Sequence, residues 1–216
     1  MKVVEIFTSI EGEGKRAGQP VVFIRLYGCN LNCSYCDTPY SHLTESDKAK
    51  EMTVDQIVQE VILTGLTGVT ITGGEPMIHE DIIELINELT YIGKDVNVET
   101  NGTVPFPAEP VDLFRMFFTM DWKCPSSGMN DMMSIENVNT LRGRDVLKFV
   151  VGTDEDLLEM ERVISEMKVS PLVYASPVFG KIEPKEIVEF VLERGLDVRV
   201  QLQLHKFIWP PEQRGV

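Results

Sequence analysis

Cysteine is scarce in this chain: four in 216 residues, with three of them between positions 29 and 36. Cysteines so few and so clustered cannot staple a disulfide-built fold. In a reducing cytosol the cluster reads instead as a metal or iron–sulfur site. Basic residues are also short, with 20 Lys and Arg against 34 Asp and Glu, a formal net charge of −14. Proteins that grip nucleic acid neutralise phosphates with a basic face. The balance here points away from nucleic acid and towards a small-molecule substrate. No apolar run approaches the roughly 18 residues of a membrane-spanning helix, so no membrane partner is expected. The opening MKVVEIFTSI lacks the long apolar core and small-residue cleavage site of a secretory signal, which predicts a cytoplasmic protein. Internal repeats, low-complexity tracts and linkers are missing too, so residues 1–216 are expected to form one domain.

What is present is an ordinary globular composition, 43% hydrophobic and 25% charged, arranged as alternating strand and helix patterns. Val21 to Leu26, Val69 to Thr72, Asp95 to Glu99, Leu113 to Met120, Val146 to Val151, Leu172 to Ala175 and Val198 to Leu202 read as strands. Between them, helical spacing follows Thr53, runs over Asp81 to Leu89 and Glu155 to Met167, and extends from Pro184 to about Glu193. Repeated βα units imply a mostly parallel sheet. A full (β/α)₈ barrel needs about 250 residues, so the predicted fold class is α/β, a partial, open β/α barrel. Its functional groups should lie beyond the C-terminal ends of the strands.

The strongest local signal is Cys29-Asn30-Leu31-Asn32-Cys33-Ser34-Tyr35-Cys36, directly after a predicted strand. A loop with this C-x-x-x-C-x-x-C spacing can wrap three thiolates around one corner of an iron–sulfur cube. Such clusters are commonly held by four protein thiolates, so three leave one iron open. The alternative is structural zinc, completed by Cys124 or His42. Thr72-Gly73-Gly74-Glu75-Pro76 follows the next strand, and Glu99-Thr100-Asn101-Gly102 the one after. Adjacent glycines permit close backbone approach. Asp121-Trp122-Lys123 follows a later strand, and Ser176 another.

The cysteine loop with the GGEP motif resembles the radical S-adenosylmethionine superfamily. That resemblance implies a [4Fe-4S] cluster on Cys29, Cys33 and Cys36, with S-adenosyl-L-methionine chelated at the open iron and cleaved to a 5′-deoxyadenosyl radical. It implies cofactor contacts from Tyr35, Cys36, Asp37, Gly74 and Glu75, with Glu75 accepting from the methionyl ammonium. Asp121, Trp122, Lys123 and Ser176 are the further candidates on that side.

Three segments narrow the resemblance to the 7-carboxy-7-deazaguanine synthase family: Glu11-Gly12-Glu13-Gly14, Cys36-Asp37-Thr38 and His205-Lys206. They imply a small pterin substrate met by Ile10, Glu11, Gly12, Glu13, Arg25, Thr72 and His205. Glu13, Arg25 and His205 would be the catalytic side chains, with Mg²⁺ on the Thr38 hydroxyl. Arg25 stands in an otherwise apolar strand and needs an anionic partner, either a substrate carboxylate or an internal acid. An external electron donor and a homodimer are further implications of the resemblance. Two other readings remain at this stage: a glycyl-radical-enzyme activase of the same superfamily, and a non-enzymatic metal-binding module.

Overall fold

The computed structural model describes residues 1–42, 49–106 and 114–216. Their strands are β1 (Lys2–Ile10), β2 (Pro20–Leu26), β3 (Lys50–Glu51), β4 (Gly68–Gly73), β5 (Asp95–Thr100), β6 (Met116–Trp122), β7 (Val146–Val151), β8 (Leu172–Pro177) and β9 (Arg199–Val200). The α-helices are α1 (Val54–Leu63), α2 (Ile82–Tyr91), α3 (Ile135–Val138), α4 (Asp154–Glu166), α5 (Pro184–Arg194) and α6 (His205–Ile208). One sheet runs β3-β1-β2-β4-β5-β6-β7-β8-β9. β1 is antiparallel to both neighbours, and every pair from β2 to β9 is parallel. The predicted open α/β arrangement is the one observed.

The main helices begin where the sequence supplies caps. Thr53 and Gln56 form a reciprocal capping box on α1, and Thr153 with Asp156 does the same on α4. α5 starts on Pro184 and stops at Gly195 in the left-handed conformation.

Side chains alternate across each strand, and here the two faces differ in kind. Leu147, Phe149 and Val151 of β7 join Ile24, Ile71, Val98, Met120 and the apolar faces of the helices in one dry core. Each such side chain contributes roughly 1.5–3 kcal/mol on burial. The other face lines the concave side of the sheet. Its lower end is plugged by Phe117, Val146 and Tyr174; its upper end carries charge.

Three departures from the sequence reading have local causes. The last strand is Arg199–Val200 rather than Val198 to Leu202. After Gln201 N–H reaches the Ala175 carbonyl at 2.9 Å, the backbone changes partner, and Leu204 N–H donates to Gly12 O at 3.1 Å. The strand expected from Leu113 begins at Met116, and Leu113 itself lies outside the described residues. β3, α3 and α6 are too short to leave a periodic signal.

The barrel stays open between β9 and the β1 side, but a side chain spans the gap. Gly14 N–H donates to Gln201 Oε1 at 2.6 Å, and Gln201 Nε2 returns a bond to Gly14 O at 3.2 Å. A glutamine amide thus imitates one rung of a strand pair. It ties the Glu11–Gly14 turn to the far end of the sheet.

Candidate active site

β2 delivers the chain to Cys29 at the C-terminal end of the parallel strands. Cys29, Cys33 and Cys36 are free, half-buried thiols. Leu31 N–H points at Cys29 Sγ from 3.5 Å, and Asn101 Nδ2 from 3.9 Å. Burial pushes all three thiols up, while the Lys123 ammonium pulls each one back. A bound cation must therefore draw off their protons. Cys124 is fully buried, with its Sγ 3.9 Å from the Trp122 carbonyl, so it is sealed in the core rather than offered as a fourth ligand. Among the described residues no three His, Cys, Asp or Glu side chains converge to hold a single metal ion.

The two loops beside the cysteines are locked to them and to each other. A Cβ on Gly74 would fall 1.9 Å from the Gly28 carbonyl oxygen. Glu75 N–H donates to that oxygen at 2.7 Å. The glycine is required by backbone meeting backbone, whatever ligand it also faces. Glu75, the expected acceptor of the methionyl ammonium, is engaged within the protein. Its carboxylate has no exposed surface and accepts from Met77 N (2.9 Å), Thr100 Oγ1 (2.7 Å) and Asn101 N (2.6 Å). With those donors in place it organises the Glu99–Gly102 loop.

Along β6 the pleat separates the Asp121-Trp122-Lys123 trio. Trp122 is 3% exposed, packs in the dry core and donates Nε1–H to Glu159 at 3.1 Å. Its side chain is therefore removed from the expected cofactor contacts. Asp121 and Lys123 face the cleft and pair at 3.1 Å. Burial opposes the Asp121 charge, but Lys123 and Lys148 outweigh it and hold the carboxyl low.

Lys148 was not anticipated. It is 6% exposed on β7 and reaches both Glu13 Oε2 and Asp121 Oδ1 at 3.2 Å. Burial works against its charge, but Asp121, Glu13 and Glu99 outweigh it and hold the ammonium protonated. Glu99 shares this cleft. Burial, then the nearby Glu11, push its carboxyl up to about 7, although Lys148 and the Thr72 hydroxyl pull downward. The signal for both residues was a charged residue alternating with apolar ones in a predicted strand. Glu13 Oε1 and Ser176 Oγ, both buried near this cleft, have no hydrogen-bond partner among the described residues. Tyr35 donates its hydroxyl to Val150 O at 3.3 Å, which fixes the ring at the end of β7.

The remaining candidates meet from distant parts of the chain. The His205 ring lies against Gly12, where a Cβ would sit 2.4 Å from its Nδ1. Burial lowers the His205 pKa, and the carboxylates of Glu13 and Asp37 partly offset this. Gln203 Nε2 donates to Glu13 Oε2 at 3.1 Å. Glu11, expected among the substrate contacts, is otherwise engaged: its carboxylate holds Arg16 at 3.2 Å and the Thr70 hydroxyl at 2.6 Å. Its backbone pairs with Gln19 and Gly18. Ile10 ends β1 opposite Pro20. Arg25 has found an internal acid, with its Nε 2.7 Å from Glu5 Oε1, an oxygen that Tyr40 also donates to. Thr38 donates its hydroxyl to Asp37 Oδ1 at 2.8 Å. Asp37 is exposed, and the Thr38 hydroxyl with the charges of Lys206, Arg25 and His205 holds its carboxyl low.

An open parallel sheet with three cysteines and a charged cleft at its C-terminal rim defines a class, and comparison gives that class a name. The Radical SAM superfamily profile matches residues 23–118. Within it, the chain is 46% identical to the 7-carboxy-7-deazaguanine synthase of Methanospirillum hungatei, over 98% of this chain and 86% of that protein. It is 44% identical to the synthase of Clostridium acetobutylicum, over 100% and 99% respectively. The chain belongs to the 7-carboxy-7-deazaguanine synthase family of radical S-adenosylmethionine enzymes. Its fold is similar to that of the Escherichia coli QueE crystal structure, with a TM-score of 0.77, 23% identity and 94% of each chain covered.

This family works with a [4Fe-4S] cluster and S-adenosylmethionine, and the residues present fit both. The three thiols are unpaired, N–H groups point at Cys29 Sγ, and unpartnered polar atoms stand at Ser176 and Glu13. No helix among the described residues is long and apolar enough to cross a membrane.

Proposed function

We propose that residues 1–216 act as one catalytic domain converting 6-carboxy-5,6,7,8-tetrahydropterin into 7-carboxy-7-deazaguanine, with ring contraction and loss of ammonia. The observation that carries this reading is the meeting of Glu13 and His205 across Gly12, beside Asp37 and the cysteine loop. A generic radical enzyme needs the cysteines; only the pterin reaction gives the other segments a common task. The bound cluster and S-adenosylmethionine supply the radical that removes a hydrogen atom from the substrate.

Cys29, Cys33 and Cys36 would hold the cluster. Tyr35 and Ser176 would border the nucleoside, and Lys123 with Asp121 would meet the polar end of the cofactor. Gly74 brings backbone to the same place. Glu13 accepts from the pterin's amine and amide edge through its unpartnered Oε1, with Ile10 and Gly12 supplying backbone polar groups. Thr72 and Glu99 border the ring. Arg25 keeps Glu5 on Nε and presents its remaining N–H groups to the substrate carboxylate, while His205 contributes a neutral imidazole. Lys148 stays protonated at Nζ, which lets Glu13 remain an acceptor in a site that already contains Asp121 and Glu99. The Thr38 hydroxyl offers Mg²⁺ an oxygen ligand, in keeping with that ion's preference for oxygen and retained water. An external one-electron donor, a homodimeric assembly and a cytoplasmic location complete the proposal. The free heterocycle, not tRNA, is the substrate that suits an acidic chain.

The test is anaerobic turnover of reconstituted protein with the carboxytetrahydropterin, S-adenosylmethionine, Mg²⁺ and a reductant, the product being identified by mass. Formation of the deazaguanine is expected. Cofactor cleavage to 5′-deoxyadenosine without that product would reject the pterin reading and leave the class intact.

A further inference from the structure

The segment Lys123 to Gly128, KCPSSG, has no task in the site so far, yet it touches the cysteine loop directly. Ser34 lies between Cys33 and Tyr35. Its N–H donates to the Ser127 carbonyl at 2.9 Å and its hydroxyl to the Ser126 carbonyl at 2.7 Å. Two residues earlier, Asn32 N–H points at Met129 Sδ from 3.5 Å. Within this half of the loop Cys36 N–H bonds Cys33 O at 3.2 Å, and Tyr35 is tied outward to Val150 O at 3.3 Å.

The turn that receives it is stiff. The N–H and hydroxyl of Ser127 both reach the Cys124 carbonyl, at 2.9 and 2.6 Å. Gly128, at φ 74°, closes the turn onto Pro125 O at 2.9 Å. Below it, the fully buried carboxylate of Asp156, in the first turn of α4, takes Ser126 N–H at 2.8 Å and also accepts the Ser126 hydroxyl. The same carboxylate accepts Gly152 N–H at 2.7 Å. One acid therefore binds the turn to both β7 and α4. Cys29 is held differently: Asn30 bonds Asn101 at 2.9 Å and Thr103 at 2.7 Å, on the loop after β5.

We propose that the Cys124–Met129 turn is a platform that positions Cys33 and Cys36, with Ser34 as its contact and Asp156 as its anchor, while Cys29 is positioned independently from the β5 loop. A rigid cube fixes the separations of its ligands, so two stiff supports hold the three sulfurs ready to receive it. Ser34, Ser126 and Asp156 are positioning residues, since each is argued to act through the cysteines by the bonds that link them. The inference rests on reading Cys29, Cys33 and Cys36 as the cluster ligands.

The test is the alkylation rate of each cysteine in metal-free protein, resolved by peptide mass, with iron loss to a chelator from reconstituted protein alongside. Ser34→Ala is expected to speed alkylation of Cys33 and Cys36 about fivefold, the effect of one lost hydrogen bond on local opening. Cys29 and Tm stay as in the parent, and iron leaves faster. Asn30→Ala gives the converse, with Cys29 alone accelerated. Equal acceleration of all three cysteines by Ser34→Ala, or none, overturns the platform. If the parent protein takes up no iron, the ligand reading fails, and the alkylation pattern still decides the platform.

Discussion

Strand β7 carries two chemistries side by side. Leu147, Phe149 and Val151 point into a dry core against the helices, whereas Lys148 between them points into a cleft of carboxylates. The core face is held by area and close packing, which tolerate changes of residue type at similar volume. The cleft face is held by charges that balance one another, so removing one strands its partners. The fold is thus separable from the site: one face of the same sheet makes the protein stable, and the other makes it reactive at a local cost in stability.

That separation can be broken by experiment. The largest expected effect is on the cleft side, where Cys33→Ala abolishes S-adenosylmethionine cleavage. A variant still releasing 5′-deoxyadenosine would contradict the ligand assignment. Lys148→Met leaves Glu13 and Asp121 without their shared cation. A loss of about 3–5 kcal/mol in denaturant unfolding is expected, together with lost turnover.

Leu147→Ala is the matching change on the core face. It should cost about 2–5 kcal/mol, yet leave turnover of the folded fraction near parent levels below its Tm. If Leu147→Ala abolished turnover while leaving Tm unchanged, the two faces would not be separable.

Smaller effects sharpen the comparison. Glu99 in the folded chain titrates near 7, above its ordinary value of 4.5. A carboxyl raised on folding contributes most favourably below its unfolded pKa and loses that contribution as pH rises through the folded one. Glu99 therefore contributes a fall in Tm between pH 4.5 and 7, and Glu99→Gln should make the slope of Tm against pH less negative than in the parent by that contribution. Equal slopes in the two proteins would remove Glu99 from the charged cluster. Thr38→Ala is expected to change least, weakening the Mg²⁺ response of turnover while leaving Tm and iron content alone. An unaltered Mg²⁺ titration would take Thr38 out of the metal site.

The amino-acid sequence alone determined the order of the longer parallel strands and their helices, because alternation, capping residues and the cysteine spacing are local properties. Val146 to Val151 could be read to the residue, and the Thr53 and Thr153 caps lie where the helices begin. Direction and partnership belonged to tertiary structure. The pleat sent Trp122 into the core and Lys123 into the cleft. Burial set Met77, Thr100 and Asn101 around Glu75, and Glu5 claimed one edge of Arg25. Lys148, Glu99 and the Gln201 rung gain meaning only from residues far along the chain. A charge in a strand signals that a partner is needed, but which partner it meets depends on distances set only when the sheet has curled.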